Sequence, residues 1–230
     1  MLEALLPAAA TVVSTRGDRE EPLFREEEQA IADAVEKRRR EFVTGRACAH
    51  EALERLGIPA TPVLPGPRGE PRWPLGIVGS ITHCEGYRAC ALARTEDLAS
   101  LGIDAEADAP LPDGLLADIA LPAERRLLGE LAGLRPGCSW DRLLFCVKES
   151  IYKAWFPLTE TWLGFEDAVV TIDPERGRFS ARLLVPTPAD AGRDLSHLTG
   201  RWSARDGLLL AAVTVPVIAT GDLGRSGSPE

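Results

Sequence analysis

FCVKESIYKAWFPLT, residues 145–159, decides how this chain reads, because it puts a carboxylate, two lysines, a tyrosine and a tryptophan into one predicted helix. Residues four apart on an α-helix share a face, so Glu149 and Lys153 stand one above the other and Lys148 pairs with Tyr152 on an adjacent strip. A glutamate four residues before a lysine is also the favourable order for an ordinary surface ion pair, and the helix alone leaves that alternative open. A second acidic cluster, GIDAE at 102–106, falls where a strand is expected to end and argues for chemistry.

Working outward, Ser139 is placed to cap this helix and Pro157 to stop it. Upstream, ALPAERRLLGEL (120–131) predicts a helix with Pro122 in its first turn and Gly133 as its stop. Tyr87–Arg94 and Leu98–Asp104 read as two short strands joined around Thr95, Glu96 and Asp97, a hairpin. Phe24–Leu56 reads as one helix carrying KRRR at 37–40, stopped by Gly57, Ile58 and Pro59. The Pro/Gly-rich TPVLPGPRGEPRWPLG (61–76) that follows is expected to be a surface loop used in recognition. From Ala168 the pattern turns to strands: AVVTID, RFSARLLV, GRWSA and LLLAAVTV, a β-meander. The tail after Pro216 reads as disordered. Helix plus hairpin, then helix plus meander, predicts an α+β fold of two halves split near Glu106: residues 1–106, residues 107–216 and a tail 217–230.

A chain of 230 residues, 45% of them hydrophobic, can bury a substantial core. Net charge of −9 and a pI near 5.0 argue against bulk nucleic-acid binding, so any polyanion site must be local. Five cysteines, at 48, 84, 90, 138 and 146, form no CxxC pair and are odd in number, which indicates neither a disulfide framework nor a cysteine zinc site. No apolar run approaches the ~20 residues of a membrane span, and the first residues lack a basic stretch before their apolar one, so the expectation is a cytoplasmic protein without a membrane partner.

In a strand alternate residues face the same way, so Asp104 and Glu106 project together, and Glu149 would complete the protein part of a Mg²⁺ site. The plainer alternative is that these acids begin a loop. Arg38 and Arg46 lie eight apart on similar faces of the first helix and suit phosphate oxygens, unless KRRR is a solvated basic strip. His83 directly precedes an expected strand and could pair with a phosphate or be structural. Trp155, Phe156, Pro157 and Leu158 read as core ahead of the alternative, a patch for a protein partner.

Together these residues resemble the 4′-phosphopantetheinyl transferase superfamily, in its Sfp-type, enterobactin-synthase-component-D-like branch. GEPRWP (69–74) matches a GxPxxP loop, SITH (80–83) an SxSH pattern with threonine third, GIDAE (102–106) a G(I/V)DxE metal motif, and KESIYKAW (148–155) a KExxYK(A)W helix. FPLTETWLGFEDA, directly after, looks like the component-D branch. The resemblance implies two similar α+β halves related by a pseudo-twofold, with the active site in the cleft between them. It implies transfer of the phosphopantetheine arm of coenzyme A to a serine of an apo acyl or peptidyl carrier protein, with Mg²⁺ as cofactor and 3′,5′-ADP as the second product. By the same resemblance Asp104, Glu106 and Glu149 hold the metal, Glu149 also serves as base, Lys153 stabilises departing phosphate oxygens and Lys148 assists or anchors the helix. Arg38, Arg46, Thr82 and His83 would hold the 3′-phosphate and pyrophosphate, and Leu163 would touch the pantetheine arm. Some relatives carry a lysine where this chain has Glu70, so a phosphate contact there passes to Arg68. Two halves in one chain imply a monomer. Carriers of fatty-acid, polyketide, nonribosomal-peptide and siderophore assembly all remain open. Two other readings use the same residues: a Mg²⁺-dependent nucleotide phosphohydrolase, which activates water instead of serine, and a non-catalytic adaptor that binds coenzyme A.

Overall fold

The structure is a computed structural model that describes residues 1–188 and 192–218. A short 3-10 helix, Leu2–Leu5, leads into β1 (Thr11–Thr15). Two helices follow, α1 (Arg25–Ala30) and α2 (Glu36–Arg55). The expected single helix from Phe24 to Leu56 is therefore broken between Ile31 and Val35. The break folds α1 back on α2, so that Glu27 reaches His50 at 3.0 Å and the main-chain N–H of Val63 at 2.8 Å.

Next come β2 (Ile77–Cys84), β3 (Tyr87–Arg94) and β4 (Leu98–Ala107). The three-stranded sheet has the order β1-β3-β2, all antiparallel. The hairpin is thus β2–β3, closed at Glu85 and Gly86, whose φ of 72° is the left-handed conformation such a turn needs. The expected pairing of Tyr87–Arg94 with Leu98–Asp104 does not form, because β4 leaves for the second sheet.

α3 (Leu116–Ile119), α4 (Pro122–Leu134) and α5 (Trp140–Thr159) precede β5 (Ala168–Asp173), β6 (Arg178–Leu183), β7 (His197–Arg205) and β8 (Leu208–Pro216). The last four make the expected meander, and β4 joins its far edge to give the order β4-β8-β7-β6-β5. The expected division after Glu106 therefore falls inside a strand of the five-stranded sheet. α5 runs through Pro157 and ends at Thr159, followed by Glu160 in the left-handed conformation with φ 49°. A proline this near a helix end removes only one late hydrogen bond. Ser139 is the N-cap residue, but its side chain makes no capping bond, and its N–H donates to Asp108 Oδ1 at 2.8 Å. Most of the tail expected to be disordered, residues 219–230, lies outside the described residues.

The fold is α+β, with two antiparallel sheets and helices packed on them, as expected. α2 crosses the three-stranded sheet with Gly45 over Ile81. α5 crosses β4 at Gly102, where a Cβ would come within 2.1 Å of the Ser150 carbonyl oxygen and 2.6 Å of the Ala154 nitrogen. The glycine of GIDAE thus lets the helix lie directly on the strand, and the two acidic motifs come together there.

Candidate functional site

Where β2 and β4 meet below α2 and α5, a cleft of about 420 Å³ opens. Arg38, Arg46, Arg68, Thr82, His83, Asp104, Glu106, Glu149 and Lys153 all line it, so nine of the expected site residues come together.

The α2 side is cationic. Arg38 lies 3.0 Å from His83 Nε2, and His83 Nδ1 lies 3.7 Å from Glu41. Burial pushes the His83 imidazole below its usual range, Glu41 opposing and Arg38 reinforcing the shift. Arg46 is buried, stacks over Phe42 at 4.1 Å and donates from Nε to the Val63 carbonyl at 2.6 Å. Burial lowers it to about 10, with Glu27 opposing.

The floor is acidic. Period-two alternation on β4 turns Asp104 and Glu106 to the cleft, with Ile103 and Ala105 fully buried behind them. Lys153 does not form the surface pair with Glu149 that its spacing allows; its Nζ reaches across to Asp104 Oδ1 at 2.6 Å. Arg142 holds Glu106 at 3.1 Å. Burial raises the Glu106 and Glu149 carboxyls, Asp104 adding to both shifts, while Arg142 and Lys153 respectively oppose them. Lys153 is itself raised, because Asp104 and Glu149 outweigh the burial that disfavours its charge.

Among the described residues, no three acidic, histidine or cysteine side chains already stand close enough to hold a metal ion. The donor chemistry nevertheless fits a hard divalent cation. Three carboxylates face one cleft, two of them raised by burial and by Asp104, and Asp104 Oδ2 is buried with no hydrogen-bond partner. Asp104, Glu106 and Glu149 are the residues that would hold it.

Two expected site residues are not in the cleft. Lys148 points the other way and is buried, and its Nζ donates to Glu124 Oε2 at 2.8 Å, the Ile119 carbonyl at 2.9 Å and the Phe165 carbonyl at 2.6 Å. With all three donors engaged, it anchors α5 to its neighbours and has none left for a ligand. Leu163 is packed in the core under α5, away from the cleft. Its neighbour Trp162 is exposed, tilts against Tyr152 with ring centroids 5.1 Å apart and lies 5.7 Å from the Arg68 guanidinium. Trp155 is fully buried core, as expected, whereas Phe156 lines the cleft.

Residues 26–93 match the 4′-phosphopantetheinyl transferase N-terminal domain, and residues 100–197 match the 4′-phosphopantetheinyl transferase superfamily. The chain is 52% identical over 219 residues to the 4′-phosphopantetheinyl transferase Svp of Streptomyces mobaraensis, covering 94% of this chain and 89% of that protein. It is 49% identical over 195 residues to the 4′-phosphopantetheinyl transferase PptT of Mycobacterium tuberculosis, covering 83% and 85%. The chain belongs to the 4′-phosphopantetheinyl transferase superfamily. Enterobactin synthase component D of Salmonella typhimurium is similar at a lower level, 34% identical over 61% of this chain and 58% of that protein. The branch expected from FPLTETWLGFEDA is thus present among its relatives.

Sequence reasoning missed one wall of this cleft. Phe145, Glu149, Tyr152 and Phe156 fall at i, i+4, i+7 and i+11 on α5 and all line the cleft. The spacing carried the signal, because Leu144, Val147, Ile151 and Trp155 recur on a separate apolar stripe, which is the one the fold buries. The cleft therefore offers cations on one side, carboxylates on its floor and an aromatic wall, a surface suited to an elongated ligand with phosphates and a less polar arm. Among the described residues no helix is long and apolar enough to cross a membrane.

Proposed function

We propose that the cleft binds coenzyme A with Mg²⁺ and transfers its phosphopantetheine to a serine of an apo acyl or peptidyl carrier protein, releasing 3′,5′-ADP. The observation that carries this reading is the meeting of Glu149 and Lys153 on α5 with Asp104 and Glu106 on β4, beside Arg38 and His83. Arg38 and Arg46 on the α2 side give the phosphates a cationic wall, with the His83 ring beside Arg38 as a hydrogen-bonding group and Arg68 at the loop edge. Phe145, Tyr152 and Phe156 give the pantetheine arm an apolar one.

Serine is a poor nucleophile at neutral pH and needs a base. Burial and Asp104 raise the proton affinity of Glu149, which suits it to take the serine proton as the oxygen attacks the β-phosphate. The bond between that phosphorus and its bridging oxygen breaks, and Lys153 meets the charge growing on the departing phosphate. When bound, Mg²⁺ supplies positive charge beside the pyrophosphate. Lys148 acts at a distance by fixing α5. The reading is of a cytoplasmic monomer whose carriers belong to fatty-acid, polyketide, nonribosomal-peptide or siderophore assembly.

The test is the intact mass of an apo carrier protein after incubation with this protein, coenzyme A and Mg²⁺. The expected result is a gain of one phosphopantetheinyl group, abolished by EDTA and lost in a folded Glu149→Gln variant. Coenzyme A cleaved with no mass gain would make the protein a phosphohydrolase. Turnover retained by Glu149→Gln would remove the base from the mechanism.

A further inference from the structure

β2 lies along the free edge of β4 without forming a ladder with it, so the two sheets are joined there by side chains. Ser80 Oγ accepts the Ile103 N–H at 3.2 Å, and Thr82 Oγ1 accepts the Ala105 N–H at 2.9 Å. Alternate hydroxyls on β2 thus stand in for the carbonyls that a paired strand would present to β4. Thr82 does one thing that Ser80 does not. Its hydroxyl donates to Asp104 Oδ1 at 3.1 Å, and the acceptor is a carboxylate, so the threonine must supply the proton.

A threonine has one donor. With that donor on Asp104 and an acceptor lone pair on the Ala105 N–H, the Thr82 side chain has no O–H left for a phosphate, although the residue lines the cleft. Asp104 Oδ1 in turn takes both Thr82 and Lys153, while Oδ2 is buried without a partner. One oxygen is thereby pinned from two sides, and the other is buried without a hydrogen-bond partner.

We infer that Thr82 is a positioning residue for the metal ligand Asp104, and that it is not a phosphate contact. This rests on Asp104 being a cation ligand, as proposed above. Hydrogen-bond partners of metal-ligating side chains commonly change metal affinity about 10- to 100-fold when removed. Ser80 and Thr82 divide the work: both join the sheets, and only Thr82 also orients the carboxylate.

The experiment measures Mn²⁺ binding by electron paramagnetic resonance without coenzyme A, coenzyme A binding by calorimetry in EDTA, and the urea midpoint, for each variant. Thr82→Val is expected to weaken Mn²⁺ about tenfold and to leave coenzyme A affinity in EDTA unchanged, with Thr82→Ser restoring Mn²⁺ binding. Ser80→Ala is expected to lower the urea midpoint but keep Mn²⁺ affinity, which separates positioning from strand joining. Should Thr82→Val not fold, Thr82→Ala is judged by the same criteria. The inference is overturned if the folded Thr82 variant binds Mn²⁺ as the wild type does, or if it loses coenzyme A in EDTA. Asp104→Asn separates the two levels. If Asp104→Asn loses Mn²⁺ and Thr82→Val keeps it, only the inference fails; if Asp104→Asn keeps Mn²⁺, the metal reading beneath it fails as well.

Discussion

Gly102 shows what a single position decides. The α5 backbone passes so close to β4 there that any side chain would collide with main-chain atoms of Ser150 and Ala154, which cannot move aside as a flexible side chain would. Gly102→Ala should destabilise the protein by about 3 kcal/mol, the upper end of what overpacking usually costs, and should shift Glu149 and Lys153 away from Asp104. Gly129, exposed on α4 with nothing near its Cβ position, is the control: Gly129→Ala should stabilise by about 0.5–1 kcal/mol. Urea midpoints of the two variants decide this, and equal small changes would mean that the crossing has slack. The motif glycine was visible in GIDAE, but its reason was not, because nothing local to 102–106 says which helix will lie on it.

At the scale of elements, α1 and α4 are held by the same device. Glu27 and Glu124 are both buried, and each accepts from the main-chain N–H at the start of its own helix, Phe24 at 3.0 Å and Leu121 at 2.8 Å. Each also takes a distant main-chain N–H, Val63 or Val170, and a side chain of the long helix beside it, His50 on α2 or Lys148 on α5. The pairing gives the two halves a common plan that no repeat in the sequence displays. Burial would raise the Glu27 carboxyl, but His50 and the Val63 and Phe24 N–H groups outweigh it and hold it below the ordinary glutamate value of 4.5. A depressed folded value means that the stabilisation is present above the unfolded pKa and is lost as pH falls through the folded one. Glu27→Gln should therefore be less stable than the wild type at neutral pH, with the gap in urea midpoint narrowing as pH falls through the ordinary glutamate value of 4.5 and below it. A gap that stays constant with pH would sink this account.

The two sheets of the whole molecule share a core. Tyr87, Ala89, Ala91 and Ala93 of β3 pack in one cluster with Leu101, Ile103 and Ala105 of β4, Leu208 and Leu210 of β8, and Leu2 and Leu5 at the N-terminus. Small residues on β3 let the sheets approach closely. Because neither half can lose its packing without exposing the other's, the protein should unfold in a single calorimetric transition with equal calorimetric and van't Hoff enthalpies. Two resolved transitions would show that the halves are independent. The shared core also explains why a division placed near Glu106 misses the sheet boundary. β4 follows β3 in the chain but completes the other sheet, and strand partners are set by burial of whole faces rather than by proximity in sequence.

Period and punctuation in the sequence determined β3, the meander of β5 to β8, the helix carrying KESIYKAW, and four motifs whose order points to one family. They could do so because alternation, helical spacing and turn residues are local. Tertiary structure alone decided that β1 and β2 are strands and that the helix from Phe24 breaks. It also decided that Lys153 pairs with Asp104 instead of Glu149, and that neighbouring Lys148 faces a buried glutamate outside the cleft. Lys148 and Lys153, five residues apart, point about 140° apart on a helix, so which of the two lysines meets the site depends on which stripe of α5 is buried against β4, and that is fixed by packing between elements far apart in the chain.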